Sequence, residues 1–413
     1  MAHFSFLIIY FLSFSYAVFR YRRFDIFSIL LLSLCFYYSS AVFNTVSVFG
    51  VVENVQVDNR TYIVLFLIFS LSLFFTYIND KFVKFIGVRK FNADYLLITK
   101  FLVFSSILCF SIGVIQVGGL SVFFEGSKSN LANKSTAFYG LSIWLFSCSF
   151  AISVYFKYFR LALFTLIFIL FSLIIGSRST AVISFLLAFL LLYDFKLTRL
   201  SNLYKEAVIV IVFVSLMVVY KFIYKDIRSG EFSDIFLVIY NIDIYSFFGV
   251  LMSESSSVVY NLNTVFTQEI SLPNYVLYHR LLSLLPAAGD YYQNMLGLDI
   301  PRFSYFLINE IYDLHFGLAS SIFGEVIAIS GWFGLVLFLL VWLLIILYFN
   351  VKLYHGMNIY QLAFLPAIIY SSFYIHRIDV TFYIGYFKYA IFICLTIYLL
   401  RVLKEVIPIR RKR

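Results

Sequence analysis

Charge is what this chain has least of. Lys, Arg, Asp and Glu make up 13% of its 413 residues, whereas 62% are hydrophobic, with 52 Phe and 33 Tyr. Soluble domains hold about half apolar and about a quarter charged residues, so a soluble globular fold is excluded. Proline numbers only five, no low-complexity linker interrupts the chain, and no repeat recurs at a fixed period. Four cysteines (Cys35, Cys109, Cys148 and Cys394) stand singly in apolar runs. Without metal spacing or an evident partner they read as small buried hydrophobes.

Motifs of common chemistries are missing too. There is no Walker A loop, no dinucleotide-binding glycine fingerprint, no His-Glu-x-x-His and no Asp/Glu pair spaced like a nucleotide-sugar metal site. The histidines (His3, His279, His315, His355 and His376) are isolated from one another. A histidine-held metal is not expected, and neither is a cofactor. Before the first apolar run there is no basic segment, and after it no small-x-small site, so Met1 to Phe19 reads as a span rather than a cleavable signal peptide.

What is there is greasy helix. Apolar runs occur at 3–19, 25–43, 61–78, 95–117, 136–156, 159–175, 180–194, 205–222, 318–349, 361–375 and 382–403. By length this predicts an all-α, polytopic integral membrane protein with about eleven transmembrane helices. Arg20-Tyr21-Arg22-Arg23 follows the first run, so the positive-inside rule puts that loop in the cytoplasm and the N-terminus outside. Alternating onward, the inner loops hold Lys81, Lys84, Arg89 and Lys90, then Lys157 and Arg160, then Lys196, Arg199 and Lys205, then Lys352, and finally the Arg410 to Arg413 tail. Most acids fall outside, eleven of them between Asp226 and Glu325. The net charge of +10 is therefore topological, and nucleic acid is excluded as a partner.

The chain divides into 1–220 (spans one to eight), 221–317 (one large outer loop) and 318–413 (spans nine to eleven and the basic tail). Within the loop, Ile235 to Met252 is apolar but carries Asn241 and Asp243 at its centre, which disfavours crossing and predicts a helix in the interface. Tyr275 to Leu285, between Pro273 and Pro286, predicts a second short helix. Gly331 and Gly334 inside the long ninth run predict a kink or an extension above the membrane.

Candidate chemistry collects at the outer face. Arg178, in the turn Gly176-Ser177-Arg178-Ser179, sits where arginine is disfavoured and needs a partner. Its planar fork suits a phosphate, and the helix starting at Ser179-Thr180 offers free N–H groups; a structural salt bridge to Asp226 or Glu325 is the alternative. Arg228, Arg280 and Arg302 are the loop's other cations of this kind, and together with Arg178 they predict a metal-free diphosphate pocket. For proton transfer the candidates are His315, whose imidazole titrates near neutral pH, and Glu325, which at the membrane boundary must pair with an arginine or rise in pKa. Glu254 and Asp313 come behind them. His376-Arg377-Ile378-Asp379 forms either a local ion pair or part of the same site. The spans are nearly free of charge, with Lys100 and Lys388 near span ends.

The Gly176-Ser177-Arg178-Ser179 turn, the single large outer loop late in the chain, and the line Gly324-Glu325, Gly331, Gly334 opening the next span resemble the Wzy-type O-antigen polymerases. The resemblance covers most of the chain in topology and about a dozen residues in motif; the topology is shared with O-antigen ligases, whose His-x-x-Asn pattern is missing here. It implies a GT-C-like, metal-independent glycosyltransferase of the bacterial inner membrane, with the large loop and N-terminus periplasmic and the C-terminus cytoplasmic. The substrates implied are undecaprenyl-diphosphate-linked O-antigen, capsule or exopolysaccharide repeat units. A chain-length regulator and a flippase of the same pathway are the implied partners beside the lipid bilayer. Arg178 matches the family's outer-turn arginine, while His315 and Glu325 fall where the superfamily places polar catalytic residues. A lipid-linked oligosaccharide flippase and an O-antigen ligase are the alternatives.

Overall fold

The computed structural model describes residues 1–20, 24–48, 52–82, 95–119, 137–174, 178–192, 204–229, 232–285, 287–312 and 320–406. Apolar runs this long form helices because no other spanning element satisfies its own backbone hydrogen bonds in hydrocarbon. In chain order they are α1 (Ala2–Phe19), α2 (Ile26–Tyr37), α3 (Asn59–Phe82), α4 (Leu96–Val117), α5 (Ala137–Tyr155), α6 (Phe159–Ile174), α7 (Arg178–Leu192) and α8 (Tyr204–Ser229). After the outer segment come α14 (Ile322–His355), α15 (Ile359–Tyr374) and α16 (Val380–Val406). Among the described residues, six helices are long and apolar enough to cross a bilayer: Ala2–Phe19, Asn59–Phe82, Leu96–Val117, Ala137–Tyr155, Ile322–His355 and Val380–Leu403. Outward-facing side chains such as Phe104, Ile167 and Leu395 stay more than half exposed. Apolar surface on that scale needs a lipid solvent, so this is a helical membrane protein.

One element departs from the all-helical expectation. Thr45–Val48 (β1) and Val52–Gln56 (β2) pair antiparallel, with Thr45 opposite Gln56. They occupy the connection between α2 and α3, which is rich in β-branched residues (Thr45, Val46, Val48, Val52 and Val55), and Asn44, in a left-handed conformation, ends the preceding turn. A two-stranded hairpin is marginal alone; here Val46 and Val48 are buried.

The bundle closes on α2, α5 and α15, whose buried residues are packed on nearly all sides. Gly113 lets α4 approach α5, since a Cβ there would stand 2.9 Å from the Tyr139 backbone. Small residues at such crossings are how membrane helices pack without a hydrophobic drive between them. At the bundle end away from the 232–312 segment, Arg20 is buried and forks onto Asp25 and Asp80. Asp25 also accepts from Asn350 Nδ2 at 3.0 Å and Tyr354 Oη at 2.9 Å, tying α1, α2, α3 and α14 together. Arg20, read from the sequence as part of a basic loop, is thus a buried counter-ion.

The opposite end is covered by the 232–312 segment: α9 (Phe232–Tyr240), α10 (Ile244–Thr267), α11 (Asn274–Leu282), α12 (Ala288–Leu296) and α13 (Phe303–Phe306). The apolar stretch 235–252 is not one helix. It breaks between α9 and α10, where the Asp243 carboxylate accepts from Ser246 N and caps α10; aspartate is favoured at that position. The second expected short helix is α11. The helix read as ending near residue 222 instead continues to Ser229. Inside α14, Gly331 adopts φ 62° and ψ −159°, the kink expected there, in a conformation open to glycine.

Candidate functional site

Three cations converge on one carboxylate at the covered end. Arg178 opens α7, Lys221 lies on α8, and Arg377 closes the short turn Ile375–Arg377 after α15. Glu254, on α10, receives all of them. Arg178 Nη2 is 3.0 Å and Lys221 Nζ 3.5 Å from Glu254 Oε1, and Arg377 Nη1 contacts Oε2. Burial by itself would raise the Glu254 pKa, but Arg377, Lys221 and Arg178 override it and hold the carboxyl down to about 2. Three positive groups against one negative leave a local charge of about +2, and an anion is drawn to it.

Arg377 is held in place by its neighbour. His376 is fully buried, its Nε2 3.1 Å from Ser33 Oγ, and its ring packs against Tyr37, Tyr38, Phe323 and Trp342. Burial pushes its pKa down to about 3, so it is a neutral anchor. The Arg377 guanidinium, 6.0 Å from the Tyr374 ring centroid, therefore projects from a rigid base.

Below this cluster lies a cavity of about 420 Å³. Arg178, Glu254 and Arg377 line its head, and Phe36, Phe185, Leu186, Val214 and Met217 line its walls. Leu186 is eight residues along α7 from Arg178, so the walls reach about 12 Å from the charges into the apolar layer. A charged head with a greasy channel beneath suits an amphiphilic anion.

A second cavity of about 880 Å³ shares Ser179 and Tyr370 with the first. It is aromatic and polar: Tyr139, Trp144, Tyr305, Phe382, Tyr386 and Tyr389 contribute rings, and His279, Arg280, Asp290, Gln293, Arg302 and Lys388 contribute polar groups. Arg280 is buried, its Nε 2.9 Å from Glu325 Oε1 and its Nη2 2.8 Å from Pro301 O. The other oxygen of Glu325 accepts from Val380 N at 2.6 Å. Arg280 Nη1 stands 3.0 Å from His279 Nδ1. A guanidinium only donates, so Nδ1 accepts and Nε2 carries the proton of the neutral ring. Burial, then Arg280, lowers the His279 pKa, which keeps that ring neutral. The Arg302 guanidinium lies 4.5 Å over the Phe382 ring.

The sequence-read candidates are thus divided. Arg178 has a carboxylate partner, but it is Glu254 and not Asp226 or Glu325. Arg280 and Arg302 do not join Arg178 in one pocket, because they face the second cavity, and Arg280 is neutralised by Glu325. Glu325 is fully buried, lines neither cavity and has both oxygens engaged. His315 lies outside the described residues. So does the side chain of Arg228, which falls near the end of α8. Lys388, read as near a span end, is eight residues past the start of α16, about 12 Å along it, and faces the second cavity. Arg377, expected either in a local ion pair or at the same site, does reach it by pairing with Glu254, whereas nothing in the sequence around Lys221 signals that it joins them. The available signal was Glu254 itself, an acid flanked by Ser253 and Ser255 in an apolar stretch, which demands partners. Among the described residues no three His, Cys, Asp or Glu side chains group closely enough to hold a metal ion.

Glu254 sets an acid limit on stability. Its depressed pKa means the folded state gains from ionisation above the ordinary value of 4.5, and that gain fades as pH falls toward 2. The depression corresponds to about 3 kcal/mol. Thermal midpoints of the detergent-solubilised protein should fall between pH 4.5 and 2, and Glu254→Gln should flatten that part of the profile. An unchanged profile in the variant would show that other carboxylates set the acid limit.

No protein-family model, curated protein or solved structure matches this chain.

Proposed function

We propose that this protein is a glycosyltransferase that polymerises undecaprenyl-diphosphate-linked repeat units of a bacterial surface polysaccharide. In this reading about eleven helices span the inner membrane in a GT-C-like arrangement, with the 232–312 segment and N-terminus periplasmic and the C-terminus cytoplasmic. The observation that carries it is the adjoining pair of cavities. One has a cationic head and an apolar channel for a lipid diphosphate; the other has aromatic faces and polar groups for saccharide.

The lipid-linked diphosphate binds Arg178, Arg377 and Lys221, taking the place of the Glu254 carboxylate as their counter-ion. Its glycan passes Ser179 and Tyr370 into the second cavity. An acceptor sugar hydroxyl attacks the anomeric carbon, the bond from that carbon to the diphosphate oxygen breaks, and undecaprenyl diphosphate leaves with its new charge held by the cations. His315 takes the hydroxyl proton, histidine being the side chain whose unperturbed titration lies nearest neutral pH. Glu325 is a positioning residue that holds Arg280 and the start of α16.

Deleting the gene in a smooth strain tests this against its alternatives. Lipid A core bearing a single repeat unit is expected, and unsubstituted core would point instead to a ligase, a flippase or an earlier step. The flippase reading draws some support from Lys388, since charge within a span marks transport paths too. For orientation, a reporter fused after Arg302 should be active in the periplasm, and cytoplasmic activity would reverse the topology.

A further inference from the structure

The second cavity holds more positive charge than its acids balance. Four charged side chains line it: Arg280, Arg302, Lys388 and Asp290. Arg280 is already matched by buried Glu325. Arg302 is 4.5 Å from the Phe382 ring, and neither it nor Lys388 makes an ion pair among the described residues. Lys388 is the more telling of the two. An ammonium about 12 Å along a span is costly unless something polar meets it, and the cavity residues nearest to it in the chain are Tyr389, Tyr386 and Gly385, none of them an acid. Its position on α16 is fixed, because Val380 N is tied to Glu325 and Phe382 N to Asp379.

The remaining lining describes the rest of the ligand. Trp144 and Tyr386 sit with ring centroids 4.8 Å apart, and Tyr386 donates to Tyr370 Oη at 2.7 Å. Flat apolar faces edged by hydroxyls suit the C–H face and hydroxyl rim of a pyranose, and they bury area at little entropic cost. Pockets of about 300–1,000 Å³ take drug-sized ligands, so about 880 Å³ admits a short oligosaccharide rather than one ring.

We propose that this cavity selects glycans containing an acidic sugar, whose carboxylate is held by Lys388 with Arg302. The inference rests on the saccharide reading of the cavity but not on polymerisation. It adds a substrate class: a repeat unit with a uronic acid or another carboxylated sugar.

The test uses the full chain in phosphatidylcholine nanodiscs and a glucuronate–glucose disaccharide against its glucose–glucose counterpart. Binding is read from tryptophan fluorescence, since Trp144 lines this cavity and is one of three tryptophans. The acidic disaccharide should bind at least tenfold tighter, and Trp144→Phe should remove the signal. Lys388→Met should erase the preference by weakening the acidic ligand alone, while Lys388→Arg keeps most of it. Arg302→Gln, at an exposed side chain, should reduce the preference without perturbing the fold. Equal binding of the two disaccharides, or a preference that survives Lys388→Met and Arg302→Gln, overturns the proposal. Loss of the preference in phosphatidylglycerol nanodiscs would assign these cations to a lipid headgroup and overturn it as well. A protein that prefers the acidic disaccharide but forms no polymer would refute the polymerase reading and leave this one standing.

Discussion

Arg178→Ala is expected to abolish long polysaccharide chains while the protein still inserts and accumulates. The substitution lowers the charge around Glu254 from about +2 to about +1 and removes the only fork contributed by α7. Hydrogen bonds to charged groups contribute about 1.5–3 kcal/mol each, so losing a two-pronged phosphate contact weakens diphosphate binding by roughly 10²-fold or more. Removing a donor that stabilises leaving-group charge lowers turnover by about 10²–10³-fold. The fold should tolerate the change, because the Arg178 side chain is 26% exposed and Glu254 retains Arg377 and Lys221. Arg178→Lys separates two roles: it keeps the charge but not the planar fork, and should leave short chains. The check is a lipopolysaccharide ladder beside a membrane blot of the variant. Full-length polymer from Arg178→Ala would remove this arginine from the site.

Much of this arrangement was visible in the sequence, for reasons that also explain the rest. Hydropathy places the apolar helices, although among the described residues six of them, not eleven, are long and apolar enough to cross a bilayer. Asn241 and Asp243 marked a place where the chain would not cross, and the structure uses Asp243 to cap a new helix there. Gly331 marked a kink because few other residues hold a positive φ. Partners are another matter. Arg178 meets Glu254 across 76 positions, and Arg280 meets Glu325 across 45. Neither spacing has a local signature, because one pair depends on how α7 meets α10 and the other on how α11 meets α14. With a handful of outer cations and eleven acids, composition says that pairs must form without saying which. For the same reason the four arginines looked like one pocket. Among the described side chains, Arg178 falls at the first cavity and Arg280 and Arg302 at the second, and the two cavities meet at Ser179 and Tyr370. The short hairpin at β1 and β2 was hidden for a different reason: strands of four and five residues cannot be told from a helix end by period alone.

Arg280→Ala is expected to cause the largest loss of stability of any single change at the end covered by the 232–312 segment. Arg280 is 2% exposed and Glu325 fully buried, and removing Arg280 leaves a buried carboxyl with no solvent and no ion-pair partner. Breaking a buried pair in that way costs about 3–5 kcal/mol, a large share of a protein's net stability. Pro301 O loses its donor too, and the link from α11 through Glu325 to the start of α16 is cut. The thermal midpoint in detergent should fall sharply and membrane levels with it, so loss of polymer in this variant would not by itself show a catalytic role. The paired replacement Arg280→Met with Glu325→Leu distinguishes the roles, since apolar residues of similar volume often match a buried ion pair in stability. If the pair is only a strut, the double variant regains both stability and polymer. If Arg280 also contacts the saccharide, stability returns while chain length stays short. A double variant no more stable than Arg280→Ala would show that the charges themselves, and not the packing around them, hold α16 in place.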